Sequence, residues 1–369
     1  MITSYGLIRN DYEAYSKYNF NLIAIDEAQN IKNPNAGITK AVKDLKSDIK
    51  LALTGTPIEN NILELWSIFD FIMPGYLATK DKFQRIYNVK DMDNEKNNLD
   101  KLNTQIKYFI LRRKKKDVVK DLPEKIENNI YIDLGQKQKE IYAAEVQRTK
   151  ESLDEMVREE GFTKAKFKIL QLLTKLREIC VDPSLIFENY KGGSAKIEEL
   201  LKIVEETKAN GHKMLIFTTY KKALDLIIPK LNNIGVTSYY IDGSVPSKKR
   251  MELVDKFNND DTDVFIITLK AGGTGLNLTS ATVVIHLDLW WNPQVENQAT
   301  DRAHRIGQKN KVEVIRLITK GTIEERILEL QNKKRKLADM LIDGEGHSEN
   351  QFSKLTEDDI KMLLSMDKN

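Results

Sequence analysis

Two adjacent carboxylates, Asp26 and Glu27, follow a short apolar run in the segment NLIAIDEAQN. In parallel α/β folds, ligands bind beyond the carboxyl ends of the strands. Carboxylates at that edge can hold Mg²⁺, usually through retained water, and can orient or deprotonate an attacking water. Asp26 would then be the metal-side carboxylate and Glu27 the base. An Asp-Glu pair can also simply cap the next helix, and this segment alone leaves both interpretations open.

A second polar strand end occurs in LALTGTPIENN, residues 51–61. Thr54 and Thr56 offer two hydroxyls at a sharp turn. Hydrogen bonds from these hydroxyls can connect a nucleotide to a second ligand. The alternative is an ordinary turn, with Pro57 at the favoured first position of a helix.

The longest chemistry-bearing stretch, residues 268–308, begins with a glycine-rich loop. Gly273 and Gly275 would let the backbone approach a phosphate closely. The phosphate-cradling P-loop pattern G-x-x-x-x-G-K-[ST] occurs nowhere in the 369 residues. The main cradle for a triphosphate is therefore absent from this sequence.

The second half of that stretch, WNPQVENQATDRAHRIGQ, predicts a helix near 294–305 that carries Gln298, Arg302 and Arg305. The two arginines are three positions apart, so on a helix they share a face and can converge on one anion. Guanidinium groups suit the charge that develops in phosphoryl transfer. The alternative is a solvated helix face with an internal ion pair. His304 is expected to pack or hydrogen-bond, because no second ligand stands at metal spacing.

Short apolar runs, continuous rather than alternating, predict parallel strands covered on both faces. Two buried strands are expected in the first hundred residues, at 22–26 and 50–54, and five more between residues 196 and 330. Helical segments between the later strands indicate a doubly wound α/β sheet. Such segments are predicted near residues 196–208, 221–234, 247–258, 294–305 and 322–341.

The composition fits a soluble intracellular protein with 41% hydrophobic and 31% charged residues. One cysteine, Cys180, excludes an internal disulfide and is expected to be buried. No apolar run approaches the roughly 20 residues of a membrane span. Because the net charge is only +3, a nucleic-acid surface would need local clustering, such as the run from Arg112 to Lys116. A run of this kind can equally be a solvated face.

Taken together, four segments resemble the SWI/SNF-type double-stranded-DNA translocase ATPases of helicase superfamily two. They stand in that family's order and read IDEAQNIKN, LALTGTPIENNILELWSIFDFIMPG, LIFTTY and LKAGGTGLNLTSA…LWWNPQVENQATDRAHRIGQ. The resemblance implies an α/β fold of two RecA-like lobes, with parallel sheets covered by helices on both faces, helical insertions and an incomplete first lobe. It also implies that ATP binds between the lobes and that DNA lies across both.

The resemblance assigns roles to individual residues. Asp26 and Glu27 match the magnesium-binding and water-activating carboxylates of a DEAQ box, in which Gln29 replaces the commoner His. Arg302 and Arg305 match the arginine fingers. Nucleotide contacts are expected from Gly273, Gly275 and Gln298, and coupling of hydrolysis to DNA from Thr54, Thr56 and Gln29. Contacts to the DNA backbone are expected from Thr3, Ser4, Tyr5, Arg112, Arg113, Thr218, Tyr220, Thr268 and Lys270.

The same resemblance, together with the apolar and basic runs, predicts the domain boundaries. They are 1–111 for the C-terminal part of lobe 1 with a helical protrusion, 112–125 for a basic linker, 126–195 for a strand and helical insertion of lobe 2, 196–335 for lobe 2, and 336–369 for a helical tail.

The function expected from this resemblance is that of an ATP- and Mg²⁺-dependent translocase on duplex DNA that remodels protein–DNA complexes. The chain is expected to be the C-terminal part of such a motor and to lack ATPase activity alone, without the P-loop. Partners would be the DNA backbone and a DNA-bound complex such as RNA polymerase or a nucleosome, with no membrane. The location would be cytoplasmic in a prokaryote, or alternatively nuclear. A competing hypothesis is a non-catalytic DNA-binding or regulatory module with a degenerate helicase fold.

Overall fold

Parallel strands organise both parts of the chain, as the apolar runs predicted. The computed structural model describes residues 1–55, 62–87, 98, 101–111, 113, 115, 122–272, 275–332 and 363. Unit 1 is built mainly from residues 1–112 and unit 2 mainly from residues 113–331. Most of the predicted basic linker 112–125 and of the predicted tail 336–369 lies outside the described residues.

The described part of unit 1 contains one parallel pair of strands, β1 (Asn19–Ile25) and β2 (Lys46–Ala52). Its helices are α1 (Tyr5–Asn10), α2 (Tyr12–Tyr15), α3 (Gly37–Lys43), α4 (Ile62–Ile72) and α5 (Lys80–Tyr87), and residues 101–106 are also helical. Two 3-10 turns lie at Ala28–Ile31 and Lys107–Phe109. Side chains of α1, α3 and α4 pack with the ends of the strands in one core, which includes Ile8, Ile25, Val42, Ile68 and Phe71.

The two strands exist as predicted, but the prediction that they are buried was wrong. Leu22 is 50% exposed and Ile49 is 58% exposed, and Leu51 and Leu53 are similarly exposed. The helices of unit 1 cover the face that carries Ile23 and Ile25. Within the residues that the structure describes, nothing covers these four apolar side chains.

Unit 2 contains a six-stranded parallel sheet in the order β3-β8-β7-β4-β6-β5. The five strands predicted between residues 196 and 330 are all present. The strands are β3 (Lys125–Ile132), β4 (Met214–Thr218), β5 (Ser238–Ile241), β6 (Val264–Thr268), β7 (Val283–His286) and β8 (Val312–Thr319). Because the sheet is wholly parallel, the polar segments that follow β4, β6 and β7 lie at one edge.

Helices cover both faces of this sheet, which explains why its strands read as continuous apolar runs. Met214 and Ile216 of β4 pack with α8 and α9, whereas Leu215 and Phe217 pack with α10 and α12. The helices of unit 2 are α6 (Gln136–Glu160), α7 (Phe162–Val181), α8 (Ala195–Ala209), α9 (Lys221–Asn233), α10 (Ser247–Asn259), α11 (Leu269–Gly272) and α12 (Pro293–Thr300), and residues 323–332 are also helical. No helix among the described residues is long and apolar enough to cross a membrane.

The helix predicted near 294–305 is shorter than expected. It starts where the sequence indicates, since Asn292 caps it through the Gln294 amide and Pro293 occupies its first turn. It ends at Thr300, and the carbonyl of Arg302, two residues further on, bonds outside the helix. The Arg302 carbonyl accepts from the Leu278 amide at 3.0 Å instead of continuing the helix. Arg302 and Arg305 therefore lie in a turn, and the prediction of a shared helix face was wrong.

An ion pair with no solvent-exposed side-chain surface joins α8 to the helix that begins near residue 323. Lys196 Nζ lies 2.5 Å from both carboxylate oxygens of Glu324. The same carboxylate accepts hydrogen bonds from the amide and hydroxyl of Thr319, at 2.9 and 2.8 Å. Both charges are therefore hydrogen-bonded as well as paired, which a buried ion pair requires.

The buried His286 predicts a pH dependence of stability. Burial, with the nearby Arg316 guanidinium, lowers the pKa of its imidazole to about 3. The unfolded chain takes up a proton at this position below about pH 6.5, and the folded chain does not. The free energy of unfolding should thus fall as the pH is lowered through this window, by up to about 1.4 kcal/mol per pH unit.

Urea unfolding between pH 7 and 5 tests this, because most carboxylates keep their charge in that range. We expect His286→Gln to reduce the slope of the unfolding free energy against pH, by an amount that corresponds to most of one proton. The remaining slope includes the contribution of His304, whose pKa is also lowered by burial. Equal slopes in the variant and the parent would contradict the assignment.

Candidate functional site

The Asp26-Glu27 pair lies directly beyond the carboxyl end of β1, and both residues are exposed. The Asp26 carboxylate accepts the Glu27 amide at 2.9 Å. The Ala28 amide donates to the Leu53 carbonyl at 2.9 Å, which holds the segment after β1 against the end of β2. Both carboxylates are thus placed at the strand edge where ligands of α/β sheets bind.

Glu27 has a left-handed backbone conformation, with φ 49° and ψ 56°. A non-glycine residue there costs about 1–3 kcal/mol, and such strain concentrates at functional sites. Its side chain makes no capping hydrogen bond to the 3-10 turn that follows. The helix-capping alternative is therefore not supported for Glu27.

Two of the predicted coupling residues connect Glu27 to the end of β2. The Thr54 hydroxyl donates to the Gln29 side-chain oxygen at 2.8 Å, and the Gln29 amide nitrogen donates to Glu27 Oε2 at 2.6 Å. Gln29 can do this because its amide both accepts and donates. The three side chains form a hydrogen-bonded chain between the two strand ends.

One of the three predicted DNA-contacting residues at the start of the chain, Tyr5, contacts this site. The Tyr5 hydroxyl donates to the Asp26 carbonyl at 2.7 Å. Burial and the charges of Asp26 and Glu27 raise the pKa of Tyr5 to about 12, so its proton is retained as a donor. Ser4 caps α1 through the Leu7 amide, and the Thr3 hydroxyl lies 2.7 Å from that of Tyr15.

In unit 2 the arginine-bearing turn packs against the end of the glycine-rich loop. Arg305 Nη1 lies 3.4 Å from the Leu276 carbonyl, next to the exposed Gly275. Gln308 donates to the carbonyls of Thr279, Ala281 and Ala303 at 3.0, 3.0 and 3.2 Å. Gln298 lies half-buried on α12, before the turn. The structure therefore places Arg305 beside the end of the glycine-rich loop, and the nucleotide contacts of Gly275 and Gln298 stay predictions.

A lysine of the basic run contacts the same turn. Lys115 donates to the Asp301 carboxylate at 2.8 Å and to the His304 carbonyl. The His304 ring nitrogen Nε2 lies 2.8 Å from the Pro123 carbonyl, so His304 hydrogen-bonds as predicted. Arg113 of the same run is exposed.

The predicted phosphate-contacting side chains of β4 and β6 are mostly enclosed. Thr218 is fully buried and donates its hydroxyl to Asp288, and Thr268 and Tyr220 are also buried. This geometry does not favour direct phosphate contacts by these side chains, and those contacts stay predictions. Thr56, Arg112, Gly273 and the Lys270 side chain lie outside the described part of the chain.

Sequence reasoning missed Asp288, which organises the edge of the sheet in unit 2. It is fully buried and accepts the Thr218 hydroxyl and the Thr219 amide, each at 2.8 Å. The signal that singled out Asp26, a carboxylate after an apolar strand, also occurs in VVIHLD.

A magnesium ion would have to be held by few protein ligands. Among the described residues, no group of three His, Cys, Asp or Glu side chains could hold a metal. Mg²⁺ keeps several waters and commonly binds through one or two carboxylates together with substrate phosphates. The exposed carboxylate of Asp26 fits that role.

Two family models match most of the chain. Residues 1–185 match the model of the SNF2-related domain, and residues 195–307 match that of the helicase conserved C-terminal domain. The chain belongs to the SNF2 family. SNF2 proteins of bacteria and yeast are among its relatives, and the chain spans about a third of the length of the first bacterial ones.

Three of these relatives show the range of organisms and of sequence identities. An ATP-dependent helicase of Mycoplasma pneumoniae is 40% identical over 99% of this chain and 34% of its own length. The putative ATP-dependent helicase/translocase YwqA of Bacillus subtilis is 40% identical over 99% of this chain and 40% of its own length. The TATA-binding protein-associated factor MOT1 of Saccharomyces cerevisiae is 35% identical over 93% of this chain and 21% of its own.

A solved SNF2 structure has the same fold. The SWI2/SNF2 ATPase core of Sulfolobus solfataricus in complex with double-stranded DNA is 35% identical, with a TM-score of 0.53 over 99% of this chain and 76% of that one. The prediction of RecA-like parallel sheets with covering helices is thereby confirmed.

Proposed function

We propose that this chain is part of an ATP-dependent translocase that moves along duplex DNA and remodels protein–DNA complexes. Glu27 activates the attacking water, and Asp26 is the residue that would hold Mg²⁺, through retained water. Arg302 and Arg305 stabilise the charge that develops on the transferred phosphoryl group.

One observation carries this proposal. The exposed carboxylate of Glu27, at the end of a parallel strand, is joined through Gln29 to Thr54. A carboxylate that only capped a helix would need no such connection to a second strand end. The relatives named as ATP-dependent helicases and the SNF2 core solved with double-stranded DNA support ATP as the cofactor and duplex DNA as the partner.

The finer assignments belong to the same proposal. The contacts expected with DNA go to its backbone, so little sequence preference follows. A DNA-bound assembly such as RNA polymerase or a nucleosome would be the complex acted on. The location would be cytoplasmic in a prokaryote or alternatively nuclear, and the bacterial and eukaryotic relatives are consistent with either.

Duplex-stimulated ATP hydrolysis tests the function. Phosphate release would be measured for the 369-residue chain and for a form of the protein that includes a P-loop, each with and without duplex DNA. We expect hydrolysis only in the second form, and we expect DNA to raise it. Glu27-dependent hydrolysis by the 369 residues would overturn the role given to the missing P-loop, and inactivity of both forms would favour the non-catalytic alternative.

The connection between Thr54 and Gln29 predicts a separable effect. Thr54→Val keeps the shape of the side chain and removes the hydroxyl that donates to Gln29. In the form with a P-loop, we expect DNA-stimulated hydrolysis to fall by about tenfold, as the loss of about one hydrogen bond in the transition state implies. Hydrolysis without DNA should change less than threefold. Ser47→Ala, which also removes a hydroxyl in unit 1, is the matched control and should change neither rate. An equal loss of ATP hydrolysis with and without DNA in Thr54→Val would contradict a coupling role.

A further inference from the structure

A buried arginine of the helical insertion in unit 2 lies at the centre of a polar cluster that the proposed mechanism does not use. Arg177, on α7, is 1% exposed. Its Nη2 lies 3.3 Å from Asp288 Oδ1 and also donates to the Leu289 carbonyl. Because a guanidinium presents several donors in a rigid plane, it can bond both groups at once.

Three aromatic rings surround the same guanidinium. Its central carbon lies 5.1 Å from the ring centroid of Trp291, 5.5 Å from that of Trp290 and 5.7 Å from that of Tyr220. Cation–π contacts of desolvated groups are favourable, and here they come from segments that follow two different strands. Tyr220 follows β4, whereas the two tryptophans follow β7.

Asp288 connects Arg177 to the turn that follows β4. Its two oxygens accept the hydroxyls of Thr218 and Thr219 and the Thr219 amide. The turn leads directly into α9, whose first residues, Lys221 and Lys222, are exposed. Fixing the turn thus fixes where the helix and its two lysines begin.

The segment after β7 is tied further to α12. The Trp290 amide donates to Glu296 Oε1 at 2.7 Å, and Gln331 donates to the same oxygen at 2.7 Å. Glu296 is buried on the helix that precedes the arginine-bearing turn. The cluster around Arg177 is therefore connected both to the turn after β4 and to α12, the helix that precedes the arginine-bearing turn.

We propose that Arg177 is a positioning residue that, through Asp288, holds the turn after β4 and the start of α9 in the shape that binds the phosphate backbone of duplex DNA. This inference rests on the proposed function. It adds a residue from the helical insertion, far from the DNA-contacting segment in sequence, to the set that determines DNA affinity.

A matched carboxylate at the opposite edge of the sheet supplies the control. Asp263 accepts the Thr237 amide at 2.8 Å, the Thr237 hydroxyl at 2.9 Å and Lys208 Nζ at 3.0 Å. Like Asp288, Asp263 thus accepts from a threonine amide, a threonine hydroxyl and a basic side chain, but it does so at the amino end of β6. Asp263→Asn should destabilise the fold without touching the turn after β4.

Duplex binding by the 369-residue chain is the measurement, by fluorescence anisotropy with a labelled duplex and with thermal melting in parallel. We expect Arg177→Lys and Asp288→Asn to weaken binding about tenfold, and Asp263→Asn to stay within twofold of the parent even where its melting temperature falls equally. Thr219→Val removes one donor to Asp288 at a half-buried site and should weaken binding about threefold if the other variants fail to fold. Affinities that follow the melting temperature alike in all variants would overturn the proposal.

Tryptophan emission separates this proposal from the proposed function. In a Trp66→Phe background only Trp290 and Trp291 emit, since the chain has three tryptophans. Arg177→Lys should shift that emission, because the cation contacts both rings. If the parent binds no duplex, the proposed function fails. An unchanged emission would then overturn the positioning role, and a shifted emission would support it.

Discussion

Glu27→Gln should lower the kcat of DNA-stimulated ATP hydrolysis by about 10²–10⁴-fold, the usual contribution of a general base. The substitution would be made in a form of the protein that includes a P-loop. Glutamine keeps the length and shape of the side chain, and its carbonyl can still accept from Gln29, which now donates to Glu27 Oε2 at 2.6 Å. The substitution removes the negative charge and with it the ability to take a proton from water, but it keeps the shape of the site, so the KM for ATP should change little.

A surface glutamate of the same unit provides the control for this prediction. Glu13 is exposed on the short helix α2. Glu13→Gln removes the same charge and should leave kcat within twofold of the parent. A kcat for Glu27→Gln within threefold of the parent would refute the role of Glu27 as the base.

Arg305→Lys should reduce kcat by about 10³-fold or more, since an arginine finger contributes about 10³–10⁵-fold in phosphoryl transfer. Lysine preserves the charge but loses the planar fork that binds two phosphate oxygens together. Arg305 lies half-buried, with Nη1 3.4 Å from the Leu276 carbonyl, so its donors are already oriented by the end of the glycine-rich loop. Arg302→Lys should have an effect of the same order.

The comparison variant for both arginines is Arg326→Lys. Arg326 pairs with Glu329 one helical turn away, at 3.2 Å, and Glu329 is half exposed. We expect kcat to stay within twofold for this variant. If Arg305→Lys and Arg302→Lys both lost less than tenfold, the arginine-bearing turn would have no direct part in the chemistry.

The centre of the sheet of unit 2 was readable from the sequence because β4, β6 and β7 are covered on both faces. The runs MLIF in KMLIFTTY and VFII in DVFIIT are wholly apolar, as is typical of a parallel strand buried on two sides. Helix starts were also readable, since Ser194 and Asn292 cap α8 and α12 through local hydrogen bonds.

The end of α12 was not readable, because its cause is distant in sequence. Helical periodicity continues through Arg305, but the Leu278 amide takes the Arg302 carbonyl out of the helical pattern. The pairing of Arg177 with Asp288 spans 111 residues and leaves no local pattern. In unit 1 the apolar residues of the two strands indicated burial, but composition does not tell whether one face or both faces of the strands are covered.

The ion pair between Lys196 and Glu324 limits how this sequence can change over time. Removing one partner leaves a buried charge uncompensated, at a cost of about 3–5 kcal/mol, whereas replacing both by apolar residues of similar volume is often neutral. Most single-step routes between those two states would pass through a barely stable protein. Substitutions at the two positions should therefore be inherited together, so among diverging descendants of this chain we expect position 196 and position 324 to change as a pair or not at all.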